Sequence, residues 1–320
     1  RTGTKFTLYV SVLSAGALAT HMLVPPTPGP LAMADELGVD LGLAILMGAL
    51  VALPISLVAG IIYGRWIDHR MTIPLREAMG STAEALREKA ETATDDLPPL
   101  GEALLPIVLP VVLIASNTGV DALAPEQEAL AALTGFVGDP NFALTVAAAV
   151  AAFTYFRMSA FSASAFSREL TEALKSGGNI IAITAAGGAF GAMLRTAGVG
   201  QYFADTLAAV GIPLLITGWL IAGVIRIAQG SGTVAVLTGA SMMAPLTASL
   251  AVHPVYMMLA VGTGGLMFSW YNDSGFWIVS EVAGITQAET FKTWSAVNTV
   301  MSLTGLVIVL LLAVAFPMSG

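Results

Sequence analysis

One stretch limits what this chain can become: Ile212 to Pro245, read as IPLLITGWLIAGVIRIAQGSGTVAVLTGASMMAP. As a single helix it would be about 50 Å long against a hydrocarbon core of about 30 Å, too long for one upright span and too short for two. It is therefore expected to break. Gly230-Ser231-Gly232 offers the place, two residues without a Cβ and one hydroxyl, just after Arg226, a permanent cation with apolar neighbours on both sides. Discontinuous helices at mid-membrane present free N–H groups and positive helix ends to anions. The expectation is a binding site at this break.

The rest of the chain makes a membrane reading unavoidable. Of 320 residues 56% are hydrophobic and only 11% charged, and the mean hydropathy is +0.82, so there are too few charges to cover a soluble domain. The apolar runs are long and continuous, which excludes the short alternating segments of a β-barrel. Cysteine is absent, excluding disulfides and thiolate metal sites. No basic block suggests nucleic acid, and the net charge of -8 describes the loops. The fold class expected is an all-α polytopic membrane protein of inverted-repeat transporter type, with re-entrant hairpins and broken helices.

Four regions are expected. Residues 1–64 hold spans around 6–24 and 41–64 with a break at PPTPGP between them, where Pro25, Pro26, Pro28 and Pro30 forbid continued helix. Residues 65–102 form a charged loop with Arg65, Arg70, Arg76, Arg87 and Lys89, its Pro74–Glu91 part reading as a solvated or interfacial helix. Residues 103–176 hold linking spans and, from Met158 to Lys175, an amphipathic surface helix. Arg157, Arg168 and Lys175 fall on the same side as the charged loop, which the positive-inside rule makes cytoplasmic. Residues 177–320 hold a Gly-rich segment at 178–200, read as a plain span or a hairpin bending at Gly187 and Gly188, then the broken element 212–246. A span at 254–270, a break at NDSGFW and a final span at 294–316 complete the region.

A weak internal symmetry runs through these regions. A helix ending in ATHMLVPPTPGP followed by a span is echoed by one ending in LMFSWYNDSGFW followed by a span, and paired interruptions of this kind point to a transporter site. The strings LVPPTPGPLA, GGAFGAMLRTAGVGQY, RIAQGSGTVAVLTGA and NDSGFW, in this order, resemble the gluconate permease family of gluconate:proton symporters. The resemblance runs from about Thr7 to the C-terminus. It implies a secondary transporter of the bacterial inner membrane for gluconate or a related hydroxy-carboxylate, in a superfamily of inverted repeats with an elevator motion. It also implies that a first hairpin and the first repeat's own broken helix precede this sequence. Thr27 and Trp270 stand where the family commonly has His.

Candidate substrate-binding residues are Arg226, Ser231, Gly232, Thr233 and Asn272, with Thr27 and Gly29 lining the cavity from the other repeat. A buried guanidinium matches an incoming carboxylate, or it pairs internally with Asp273 or Asp205. Asp273 and His21 are the candidates for proton coupling, against helix capping for the first and a structural role for the second. No catalytic or metal-ligating set and no cofactor is expected beyond a coupling ion, proton first and sodium as runner-up. Expected partners are a sugar-acid anion, the lipid bilayer and a second copy in a homodimer. An intramembrane protease lacks HExxH and a second membrane carboxylate to share a proton with Asp273, and no ring of identical loops suggests a channel.

Overall fold

A computed structural model describes residues 5–71, 73, 98–124, 126–158, 162–209 and 211–318. Among them every regular element is helical. Five stretches are long and apolar enough to cross a bilayer: Phe6–Glu36, Leu41–Asp68, Leu100–Val120, Pro140–Met158 and Gln287–Ala315. Large apolar side chains face outward along them, Leu13, Leu53, Leu311 and Val314 among them, as lipid requires and water would not allow. The protein is an all-α polytopic membrane protein. The expected helix at Pro74–Glu91 lies outside the described residues.

Helix α1 (Phe6–Leu23) stops at the proline run, and α2 (Pro28–Leu37) restarts with Pro28 in its first turn and ends on Gly38, whose φ of 66° is left-handed. The chain then returns through α3 (Leu41–Ser56), a π-turn at Leu57–Tyr63 and α4 (Gly64–Asp68). This return lies antiparallel to α1, close enough that a Cβ on Gly48 would sit 2.1 Å from the Leu23 carbonyl oxygen and one on Gly64 3.1 Å from Ser11 Cβ. Three further helices follow: α5 (Leu100–Leu123) packs on α3, and α6 (Glu128–Val137) and α7 (Pro140–Met158) pack on α5.

Helix α8 (Ala163–Thr196) corrects two expectations. It is one helix, about 50 Å long at 1.5 Å per residue, so neither a separate surface helix ending at Lys175 nor a hairpin bend at Gly187 and Gly188 is present. No proline interrupts the segment, and each glycine costs a helix only about 1 kcal/mol, less than a lost turn of hydrogen bonds. Gly191 serves approach instead: a Cβ there would lie 3.0 Å from both Thr238 Cα and Ser241 Cβ of a later helix. A Cβ on Gly188 would meet nothing within 4 Å. Gly188→Ala is therefore expected to raise the melting temperature in detergent, by the equivalent of about 0.5–1 kcal/mol, whereas Gly191→Ala lowers it. A bend at Gly188 would reverse the first result.

The hairpin lies further on. After α9 (Val199–Ala209), α10 (Leu214–Gln229) and α11 (Gly232–Met243) run antiparallel, with a Cβ on Gly239 placed 3.3 Å from Ala222 Cβ and one on Gly218 placed 3.6 Å from Met243 Cγ. At about 24 and 18 Å neither arm crosses the core. The pair enters and leaves on one side, with Gly230-Ser231 at its tip. Helix α12 (Val255–Gly264) runs beside α10, with all ten residues buried. After a break, α13 (Ser274–Val282), the short α14 (Gln287–Thr290), a π-turn at Phe291–Ser295 and α15 (Ala296–Ala315) finish the fold. The end of α15 returns to the start of α12, where Tyr256 donates to the Phe316 carbonyl and the His253 N–H to that of Met318 at 2.9 Å.

The Arg226–Asp273 pair at the hairpin tip

Two broken helices and the hairpin tip meet inside this core. α1–α2 and α12–α13 cross in opposite directions with their breaks side by side: a Cβ on Gly262 would sit 2.7 Å from Leu23 Cδ2 and 2.9 Å from the Met22 carbonyl oxygen. The tip reaches the same level, since a Cβ on Gly232 would overlap Met22 Cε and lie 3.6 Å from the Gly265 oxygen. Three helix N-termini, those of α2, α11 and α13, therefore open near one another within the fold. Each carries the partial positive charge of unpaired N–H groups.

Each break has a local cause. Gly230 adopts φ 89°, and its N–H caps Arg226 at 2.9 Å. Ser231 then caps α11, its hydroxyl accepting from the Val234 N–H at 3.3 Å. The last carbonyls of α10 would be orphans, but Trp270 Nε1 donates to Ile227 at 2.8 Å and Asn272 Nδ2 to Ile227 and Ala228 at 2.9 and 3.2 Å. The tip is thus stitched to the α12–α13 break. Asn272 directs its amide donors into this capping.

Arg226 is 2% exposed and Asp273 6%. Their ion pair joins Nη2 to Oδ2 at 2.7 Å, and Nη1 donates to the Gly230 carbonyl. Of the two partners weighed for Arg226, the pair forms with Asp273, while Asp205 accepts from Gln201 at 2.7 Å. The guanidinium sits in the last turn of α10 and the carboxylate at the N-cap of α13, where its Oδ1 accepts from the Gly275 N–H at 3.0 Å. Both charges thus face the helix ends of opposite sign. Arg226 Nε is buried with no hydrogen-bond partner, so the site holds donor capacity that the fold leaves unfilled.

Two residues of this cluster have no sequence expectation behind them. Ser269 Oγ donates to Asp273 Oδ2, and Trp294 Nε1 lies 2.7 Å from Ser269 Oγ and 3.2 Å from Asp273 Oδ2. Ser269 stands four residues before Asp273, a spacing that could have suggested a shared turn; nothing local marks Trp294.

The remaining candidates fall in different places. His21 Nε2, near the end of α1, faces Thr233 Oγ1 in the first turn of α11 at 3.4 Å. Thr27 Oγ1 donates back to the Val24 carbonyl at 2.7 Å, closing the end of α1. Gly29 is buried, its absent side chain leaving room for Val236 Cγ2 at 3.2 Å. Gly187 and Gly188 lie in α8, away from the tip in sequence and with no bend between them. A separate cavity of about 800 Å³ lies on the other side of α2, from Asp35 down to Pro26 and Pro28, and reaches Asn141 of α7 and Ala185 of α8.

Broken helices crossing in opposite directions around a buried cation are what a permease would need, and comparison with known proteins decides the matter. The GntP family permease model matches residues 2–315. The chain belongs to this family. This GntP family permease is 37% identical over 304 residues to the gluconate permease of Pseudomonas aeruginosa, a match covering 94% of this chain and 66% of that protein. It is 36% identical over 306 residues to the high-affinity gluconate transporter of Escherichia coli K12, covering 95% of this chain and 68% of that one. An uncharacterized permease of Bacillus subtilis, YojA, is 33% identical over 305 residues. The GntP chain thus spans about two thirds of the length of these relatives. No solved structure matches it.

Proposed function

We propose that this chain carries the substrate site of a proton symporter that imports gluconate or a related sugar acid across the bacterial inner membrane. The observation behind the reading is the meeting of three helix N-termini at a hairpin tip that holds one buried guanidinium within an apolar fold. The α11 N-terminus with Gly232 and Thr233, the Gly29 N–H and the Ser231 hydroxyl offer donors to a carboxylate and its polyol tail, and the Thr27 hydroxyl oxygen, its proton on the Val24 carbonyl, offers an acceptor to that tail. Asn272 frames the tip. Arg226 supplies the full charge once the anion draws it from Asp273, and relatives named for gluconate support this choice of anion.

Asp273 and His21 are the proposed coupling groups. Substrate arrival at Arg226 loosens the pair and leaves the Asp273 carboxylate able to take a proton, so anion and proton travel together. The α10–α11 hairpin and its companion helices carry the site across in an elevator motion, within a homodimer. The test is uptake of labelled gluconate into proteoliposomes: a saturable signal driven by an imposed pH gradient supports the reading. Uptake that follows a sodium gradient and ignores pH would replace the proton with sodium, and ohmic current would replace the transporter with a channel. With Asp273→Asn, pH-driven uptake is expected to fall to background; retained pH-driven uptake would place the proton elsewhere.

A further inference from the structure

Trp294 is 7% exposed and Ser269 1%, and neither can contact a ligand without the core opening. Their polar atoms nevertheless converge on one oxygen. Asp273 Oδ2 receives Arg226 Nη2, Ser269 Oγ and Trp294 Nε1, while Oδ1 caps α13. The indole N–H is shared, at 2.7 Å from the serine oxygen and 3.2 Å from the carboxylate. The indole ring also closes over the start of α13, where a Cβ on Gly275 would lie 2.6 Å from Trp294 Cζ2.

The backbone around Trp294 is built to hold this aim. It lies in the π-turn Phe291–Ser295, a register change that rotates one residue out of the ordinary helical face. Asn298, itself fully buried, donates Nδ2 to the Trp294 carbonyl at 2.9 Å. A tryptophan placed only to fill the core needs neither the register change nor the braced carbonyl.

We infer that Trp294 and Ser269 are positioning residues that hold the Asp273 carboxyl in place while Arg226 exchanges partners, an inference that rests on the anion reading above. With Arg226 drawn to an anion, Oδ2 loses one of three donors and keeps two, so the buried carboxylate is not stranded. If the carboxyl takes a proton, the serine hydroxyl turns from donor to acceptor and the indole N–H remains with the serine oxygen. One bracket thus serves both protonation states. Arg226 can then leave and return to a carboxyl that has not moved.

The test replaces Trp294 with benzothienylalanine, which keeps the fused-ring shape and removes only the N–H, alongside Trp294→Phe and Ser269→Ala, in the full chain in detergent. Equilibrium binding of labelled gluconate is expected to weaken about tenfold with the isostere, as for loss of one hydrogen bond to a charged group. In an Asp273→Asn background the same replacement is expected to change affinity less than twofold. A merely packing role leaves the isostere within twofold of the native chain, and equal losses in both backgrounds would likewise overturn the inference. If Arg226→Gln leaves gluconate affinity unchanged, the anion reading itself fails. The positioning role is then decided by melting temperature, which the isostere lowers in the native background only; equal lowering in both sinks it.

Discussion

Arg226→Gln will destabilise the protein by about 3–5 kcal/mol and weaken gluconate binding about 100-fold. The first effect comes from burial: removing one partner of a buried ion pair leaves the other charge uncompensated, and Asp273 is 6% exposed. The second comes from the loss of a charge-assisted contact to the anion. A double variant separates them. Arg226→Met with Asp273→Leu removes both charges and fills the space, which for buried pairs is often neutral or stabilising. Here it is expected to recover most of the stability, less about 1 kcal/mol for the lost N-cap of α13. Gluconate binding stays lost. Thermal unfolding in detergent and equilibrium binding on the same samples check both, and affinity restored along with stability would make Arg226 structural only.

Gly230→Ala is the second large effect. At φ 89° an alanine is strained by about 1–2 kcal/mol, and its Cβ would fall 2.2 Å from the Asn272 carbonyl oxygen. That neighbour is backbone and cannot swing aside, so the tip must lift from the α12–α13 break. With it go the contacts of Trp270 and Asn272 to the end of α10 and that of Arg226 to the Gly230 carbonyl. A loss above about 3 kcal/mol is expected, at the severe end for a single substitution. Gly232→Ala is the control. There the obstacle is Met22 Cε, the far end of a flexible side chain, so the loss is smaller. Equal melting temperatures for the two variants would contradict the close approach at Gly230.

Position 230 could be read as a break because Gly-Ser-Gly beside a cation interrupts a run that lipid would otherwise hold helical. The direction of the chain beyond that break could not be read. Whether it continues across or folds back depends on facing residues, Ala222 against Gly239 and Gly218 against Met243, that only three dimensions bring together. The same ambiguity misplaces the hairpin at Gly187-Gly188: glycine marks a bend and a close helix contact alike, and in α8 the contact falls at Gly191 while a Cβ on Gly188 would meet nothing within 4 Å. The pairing of Arg226 with Asp273 stood among the alternatives because both charges interrupt apolar sequence. Trp294 gave no signal, since an indole in an apolar span is ordinary and its aim is set by a π-turn that composition does not announce. Asn272 and Thr27 read as site residues because they are polar near breaks. The structure shows how much of that polarity closes helix ends.

The chain contains no cysteine, so Thr233→Cys provides a single thiol in the first turn of α11. The rate at which a maleimide labels that variant is the most direct test of an anion docking at the hairpin tip. Gluconate is expected to slow labelling saturably, while neutral glucose leaves it unchanged. Labelling unaffected at high gluconate, or slowed equally by glucose, would contradict the account.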